Sequence, residues 1–292
     1  MSKLYFVFLF LSIAGFACKD KPEAIPAYLK VEPFKVTAEG GAGWQKITEG
    51  WIYVNREFLG AYTLPHTFPV LAEGDTEVWV LPGVKENGSF ETPGIYYFLK
   101  RFEQQYNLTP GETTTVQPVT NYDVPTVKFA WEPERTTFDG TSSLIFEDRD
   151  NDLALNVRYT TAGSFAGRSL LMEVDSAHTG MTIVSEPAVV PTLAERQTWL
   201  ELNYRNEAVF SMWLIGKSDG EAAAEPTLIY QFNPTKDNTW NKIYLNLTEF
   251  LQYSAKQRHQ LMFKLDLPKD ATGKYTRSKA AVLLDNIRLV HF

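Results

Sequence analysis

Cys18 is the only cysteine of the 292-residue chain. Its thiol is therefore the one soft nucleophile on offer, and it has no partner for an internal disulfide. The four histidines, His66, His178, His259 and His291, are scattered without the short spacing of a zinc site. Asp148, Asp150 and Asp152 alternate as in a calcium loop. However, the EF-hand positions for the turn glycine and the terminal glutamate hold Leu153 and Tyr159. The three aspartates therefore read as a solvated acidic turn. No HExxH, GxSxG, P-loop or GxGxxG motif occurs, and the expectation is a protein that is not an enzyme. Sugar binding needs exposed aromatic faces with amides beside them. Trp213, Trp240, Tyr244 and Tyr253 are the candidates, with Asn238 and Asn241 flanking Trp240. The competing reading is that each fills a core or its rim, since aromatics dominate core burial.

The surroundings of Cys18 define its chemistry. A short basic start at residues 1–3 precedes an apolar run at 4–16 (LYFVFLFLSIAGF), then Ala17 and Cys18. This is the layout of a secretory signal peptide. The run has 13 residues, short of the about 20 that cross a bilayer as a helix. The segment GFAC resembles a bacterial lipobox, with Gly15 where leucine is usual. Lys19, Asp20, Lys21 and Glu23 resemble the charged export signal that follows the cysteine in surface lipoproteins of the Bacteroidetes. The resemblance implies a signal peptide at 1–17, lipidation at Cys18, and an outer-membrane lipoprotein with a polar tether at 18–27. Each buried CH₂ contributes about 0.8 kcal/mol, so the two or three acyl chains of such an anchor hold firmly where one alone is marginal.

The formal net charge is −7 and no long basic run occurs, so nucleic acid is not an expected partner. Aromatics make up 14% of the chain, with 16 prolines and 18 glycines. Many short strands separated by turns produce such a composition. Strands are expected at 51–55, 58–64, 76–81, 95–102 and 113–118 in a first domain, 28–124. In a second domain, 125–292, they are expected at 143–147, 168–175, 199–204, 209–215, 227–232, 242–247, 260–267 and 280–290. Ile243, Leu245 and Leu247 alternate with Lys242, Tyr244 and Asn246. Leu261, Phe263, Leu265 and Leu267 alternate with Gln260, Lys264 and Asp266, and Met262 is the exception. Period two argues for antiparallel sheets with one packed face. One short helix is expected within 247–257, capped by Thr248. The loop 268–279 is locally basic and reads as a solvated hairpin tip, or as a contact for an anionic partner.

Two stretches carry resemblances. WIYVNREFLGAYTLP followed by GDTEVWVLPG, within 51–84, resembles the repeat of PEGA-type and carboxypeptidase-regulatory-like β-sandwiches, with Arg56-Glu57 at its hairpin. SLIFE, TWNKIYLNLTEFL and VLLDNIRLV, spread over 131–292, resemble galactose-binding-like jelly rolls, a group rich in carbohydrate-binding modules. The fold they imply is all-β: an N-terminal Ig-like or PEGA-like sandwich followed by a C-terminal jelly roll. The jelly-roll resemblance also implies a structural Ca²⁺ held by Glu147 and Asp285, although two carboxylates fall far short of the 6–8 oxygens calcium takes. The expected function is an interaction or scaffold lipoprotein of the cell envelope, bound to the membrane and to an envelope protein. The alternative is a glycan-binding lipoprotein whose jelly roll captures a polysaccharide.

Overall fold

The computed structural model describes residues 23–41, 43–150, 157–193 and 196–292. Cys18 and Asp152 lie outside the described residues. The protein is all-β. In chain order the first strands are β1 (Ala27–Val31), β2 (Lys35–Val36), β3 (Glu49–Val54), β4 (Glu57–Thr63), β5 (His66–Val70), β6 (Gly74–Lys85), β7 (Pro93–Ile95), β8 (Phe102–Leu108), β9 (Thr113–Val116) and β10 (Val119–Thr120). Then come β11 (Lys128–Phe129), β12 (Phe146–Asp148), β13 (Arg158–Thr160), β14 (Ser169–Asp175), β15 (Gly180–Ser185), β16 (Thr198–Asn206), β17 (Phe210–Lys217), β18 (Thr227–Phe232), β19 (Asn241–Asn246), β20 (Arg258–Asp266) and β21 (Lys279–His291).

Two sheets form the N-terminal sandwich. Sheet I has the order β5-β1-β9, and sheet II has the order β4-β3-β6-β7 with β8 also on β6. Leu29, Val31 and Phe68 of sheet I meet Ile52, Val78 and Val80 of sheet II in one buried core. The β3–β4 connection is Asn55-Arg56, one residue before the expected pair. Both have positive φ, 49° and 69°. A two-residue type I′ hairpin requires this at both positions, and asparagine tolerates it best. The expected strand 95–102 is instead the end of β7 and the start of β8, with an irregular crossing between them. That crossing matters below, because it carries Tyr96 and Phe98.

Two larger sheets form the C-terminal jelly roll. Sheet III runs β13-β14-β21-β16-β19 with β11 also on β21, and sheet IV runs β12-β15-β20-β17-β18. Leu200, Leu202, Ile243, Leu245 and Leu284 of sheet III pack on Met212, Leu261, Phe263 and Leu265 of sheet IV. The expected alternation at 243–247 and 261–267 therefore sets the inward faces. The short helix is Thr248–Ser254. Thr248 is its first residue and not its cap: Asn246 Oδ1 accepts both the Thr248 N–H and its hydroxyl, at 3.1 and 2.7 Å. Among the described residues no hydrogen-bonded sheet mixes strands up to Thr120 with strands from Lys128 onward.

An antiparallel sheet packed on one face would leave the outer face of sheet III in water. It does not. Trp199, Tyr244 and Val290 on that face join Val84, Tyr96, Phe98, Leu99 and Tyr122 of the N-terminal part in a third buried cluster. Tyr96 meets Trp199 and Tyr244 edge-on, with centroids 5.4 and 5.0 Å apart, and Phe98 stacks on Phe292 at 4.6 Å. The N-terminal sandwich is thus docked on one sheet face of the jelly roll, and the outer face of sheet IV remains open.

Candidate functional site

The closed face of sheet III is built around one charge. Register places Glu201 of β16 beside Arg288 of β21 and Tyr244 of β19. A bulge at Asp285-Asn286, where Asn286 has φ 48°, shifts the parity of β21. Ile287 and Leu289 then point inward and Arg288 faces out toward Glu201. Glu201 is fully buried. Its Oε1 accepts the hydroxyls of Tyr96 and Tyr122 at 2.6 and 2.8 Å. Its Oε2 accepts Lys242 Nζ at 2.9 Å and Gln45 Nε2 at 3.1 Å. Burial by itself would raise this carboxyl, but the Lys242 and Arg288 charges with the Tyr96 and Lys242 hydrogen bonds outweigh it and hold the group below the usual carboxylate range. The same burial lowers Lys242, against the attraction of Glu201. Four partners from both sandwiches converge on one carboxylate, so this is a fastening and not a ligand site.

The open face of sheet IV is different. Side chains two apart in a strand share a face, and the register lines them into rows. One row runs Glu147, Val184, Met262, Trp213, Leu228 across β12, β15, β20, β17 and β18. The next runs Thr182, Lys264, Ser211, Gln231. The first is an apolar strip with an acidic end, in which Val184 is buried, Met262 and Trp213 are partly exposed and Leu228 is exposed, and the second is a line of hydrogen-bonding groups. Trp213 Nε1 donates to Ser211 Oγ at 2.8 Å. That bond ties the indole back along its own strand, so the ring lies over the sheet. Four strand intervals of about 4.8 Å make the row about 19 Å wide.

The rows open at one end into a cleft of about 700 Å³ whose lining includes Ser211, Gln231, Lys264, Asp266, Lys269 and Tyr275. The 268–279 loop is ordered there by Asp270, whose Oδ1 accepts the Thr272 and Lys274 N–H groups at 2.9 and 3.1 Å. Lys269 Nζ sits 4.8 Å from the Tyr275 ring centroid. A hydrogen bond with Thr179, aided by Lys269, holds the Tyr275 hydroxyl below its ordinary value. The loop is therefore a wall of the cleft as well as a hairpin tip.

The four expected aromatics do not form one platform. Trp213 lies on the open face. Tyr244 is 2% exposed at the junction, where its hydroxyl accepts the Lys46 N–H at 2.7 Å and donates to Gln45 Oε1 at 2.8 Å. It is unavailable for stacking, because the sheet face it shares is covered. Trp240 is half-buried at the edge of sheet III, its Nε1 donating to the Gly163 carbonyl at 3.1 Å and its ring edge-on to Phe165. Tyr253 is 94% exposed on the short helix, away from the other three.

Glu147 and Asp285 do not assemble a calcium site. Glu147 is on the outer face of sheet IV, paired with Arg149 at 2.7 Å. Asp285 is buried in sheet III, where it accepts the Ser169 hydroxyl at 2.7 Å and the Asn286 N–H at 2.8 Å. Among the described residues no group of three or more His, Cys, Asp and Glu could hold a metal ion. Burial, with the Asp139 charge adding to it, raises the Asp285 carboxyl to about 7, despite the Ser169 and Asn286 hydrogen bonds. The Ser254–His259 pair, 3.0 Å apart, does not make a hydrolytic site. His259 is buried, its pKa falls to about 4 for that reason, and its Nδ1 has no orienting partner among the described residues.

Sequence reading missed Thr182, Gln231 and Tyr275. Met262, the exception in the alternation of 260–267, was the available signal: it stands on the outer face opposite Trp213 and extends the apolar strip.

No family model matches the chain, and no curated protein matches it. Solved structures do resemble it. The module TmCBM61, solved with β-1,4-galactotriose, is 8% identical, covers 56% of this chain and 97% of its own, and has a TM-score of 0.35. The family 11 carbohydrate-binding module of Clostridium thermocellum, solved with a mixed-linked β-1,3-1,4 tetrasaccharide, is 12% identical over 56% of this chain and 94% of its own, with a TM-score of 0.36. The enzymatically active domain of tailspike protein 4 from bacteriophage CBA120 is 11% identical over 61% of this chain and 25% of its own, with a TM-score of 0.38.

Proposed function

We propose that this chain is a non-enzymatic, lipid-anchored protein of the bacterial cell envelope that holds a polysaccharide along the outer face of sheet IV. One observation carries the reading: the apolar row through Trp213 lies directly beside the polar row Thr182, Lys264, Ser211, Gln231. A sugar ring presents an apolar face edged by hydroxyls, and these two rows offer both complements at adjacent positions. The face is wide enough for several sugar units, and the cleft at its end would take a branch or a chain terminus.

Affinity electrophoresis of residues 19–292 in gels containing a panel of polysaccharides tests this. Retardation by at least one polysaccharide is expected. Trp213→Ala should weaken it at least about tenfold while leaving the thermal transition in place. A retarded protein that binds equally well without Trp213 would refute the site.

The anchor is proposed at Cys18, with residues 18–27 as tether. Cys18→Ser is expected to move the protein from the membrane pellet to the soluble fraction of expressing cells. A variant that still sediments with membranes would rule the anchor out. The resemblance of 51–84 to PEGA-type domains supports a spacer role for the N-terminal sandwich.

A second reading, docking of an envelope protein, draws on the outer face of sheet II. There Phe58 stacks on Trp51 at 5.4 Å and meets Tyr53 at 5.1 Å, and Arg101 covers Trp79 at 4.1 Å. Gels that stay blank for every polysaccharide, with an envelope protein co-purifying, would favour it.

A further inference from the structure

A second cavity, of about 150 Å³, lies where the two sandwiches meet. Its walls come from both: Lys46, Lys85 and Phe90 on one side, Tyr230, Asn241 and Lys242 on the other. Three lysines line it and no acidic residue does. Lys242 is already answered by Glu201 at 2.9 Å. The other two have neutral partners. Lys46 Nζ donates to Asn241 Oδ1 at 2.6 Å, and Lys85 Nζ lies 3.5 Å from the Phe90 ring centroid. No described carboxylate comes within ion-pairing distance of either. Two cations thus face one small space without a counter-charge.

Size narrows the occupant. The volume is well under the ~300–1,000 Å³ of pockets for drug-sized ligands. It takes an oxyanion and at most the ring that bears it. The walls suit such a ring. Phe90 is 81% exposed and overhangs the opening beside Lys85. Gly88, at φ 71°, lies so close to Tyr230 that a Cβ there would sit 3.1 Å from the phenol oxygen. Burial, with repulsion from Lys85, also lowers the Lys46 pKa; a bound anion would relieve that repulsion.

We propose that this cavity binds a carboxylate or sulfate group, carried on a single sugar residue, between Lys46 and Lys85. The site does not rest on the polysaccharide face: it uses no residue of sheet IV's outer rows. Because the occupant would touch both sandwiches, binding also strengthens their docking.

Titration calorimetry and thermal unfolding of the full chain with glucuronate, galactose 6-sulfate, inorganic sulfate and neutral glucose test it. Glucuronate or galactose 6-sulfate should bind saturably in the millimolar range, weaken as salt is added, and raise the unfolding temperature, while glucose does neither. Lys46→Gln with Lys85→Gln should weaken binding at least about tenfold. Lys35→Gln, on the exposed side of β2 and outside both sites, should leave it unchanged. If the double variant fails to fold, Lys85→Gln alone still reports, because its side chain contacts the exposed Phe90 ring, and a severalfold loss is expected. Inorganic sulfate binding as tightly as the sugar anions would show that the ring contributes nothing and overturn the sugar assignment. No saturable binding by any anion, or equal binding by the lysine variants, would overturn the site.

Discussion

Replacing Glu201 with alanine should cost about 3–5 kcal/mol of stability, the range for removing one partner of a buried ion pair. The change strands Lys242, whose side chain is 3% exposed, and leaves the Tyr96 and Tyr122 hydroxyls without their shared acceptor. An unpaired buried charge is the expensive element, more than the lost hydrogen bonds. Glu201→Gln keeps an acceptor and should cost less. Replacing Glu201 and Lys242 together with methionine should recover part of the loss, because Lys242 is no longer stranded, while the buried Arg288 still lacks the Glu201 charge. Intrinsic fluorescence, to which Trp199 in the same junction contributes, is to be followed beside far-ultraviolet dichroism in a denaturant titration. A loss under about 1 kcal/mol for Glu201→Ala would show that the junction is hydrated and the sandwiches are loosely joined. The pH sign follows from the depressed carboxyl. Its contribution is present above the unfolded pKa, about 4.3, and fades as pH falls through the lower folded value. Acid should therefore loosen the junction.

Asp285→Asn should act in the opposite direction and stabilise the protein at neutral and alkaline pH. The native carboxyl sits at about 7, raised chiefly by burial and further by Asp139. The unfolded chain titrates near its ordinary value of about 3.9. Between these two values the unfolded state releases a proton that the native state retains. Stability therefore falls as pH rises from about 4 to about 7, then levels off. At about 1.4 kcal/mol per pH unit, the total is about 4 kcal/mol. The Asn286 N–H donates to Oδ1 and the Ser169 hydroxyl to Oδ2, so an asparagine keeps the first bond at its Oδ1, while its Nδ2 donates to a rotated Ser169 hydroxyl in place of the second, and the charge is removed. Urea titrations at pH 4.5 and pH 8 should show near-equal stability at the lower pH and a clear advantage for the variant at the higher. A difference below about 1 kcal/mol at pH 8 would mean that water or a cation solvates the native carboxylate.

Most of the strands were legible because period two is a local property. The alternations at 242–247 and 260–267 set the inward faces of β19 and β20 from sequence alone, and the Asn55-Arg56 hairpin lay within one residue of its expected place. The strands that went unread include β1, β5, β8 and β15. β1, β5 and β15 do bury alternate apolar residues, such as Leu29 and Val31, Phe68 and Val70, and Met181 and Ile183, but each spans only five or six residues, too few for a period to stand out. In β8 the inward side holds Phe102 and Tyr106, only partly buried against the N-terminal core.

The site was legible only in fragments. Trp213 and Glu147 were both named from the sequence, for different reasons, and turn out to share one row. What joined them was β15, a strand the sequence did not announce. Tyr244 shows the converse. It alternates with Ile243 and Leu245 as an outward residue should, and outward it is, yet Tyr96 and the chain around Gln45 cover it.

The alternation within each strand, the hairpin chemistry and the pattern around the lone Cys18 were properties of the sequence itself, because each depends on residues a few positions apart. Which sheet face stays open was decided only in three dimensions. Gln45, Tyr96 and Tyr122 lie 79 to 156 residues from Glu201 along the chain, and no local period records that their hydroxyl and amide groups will meet its carboxylate. That convergence closes sheet III, leaves sheet IV and Trp213 to the solvent, and brings Lys46 and Lys85 to the rim of the junction.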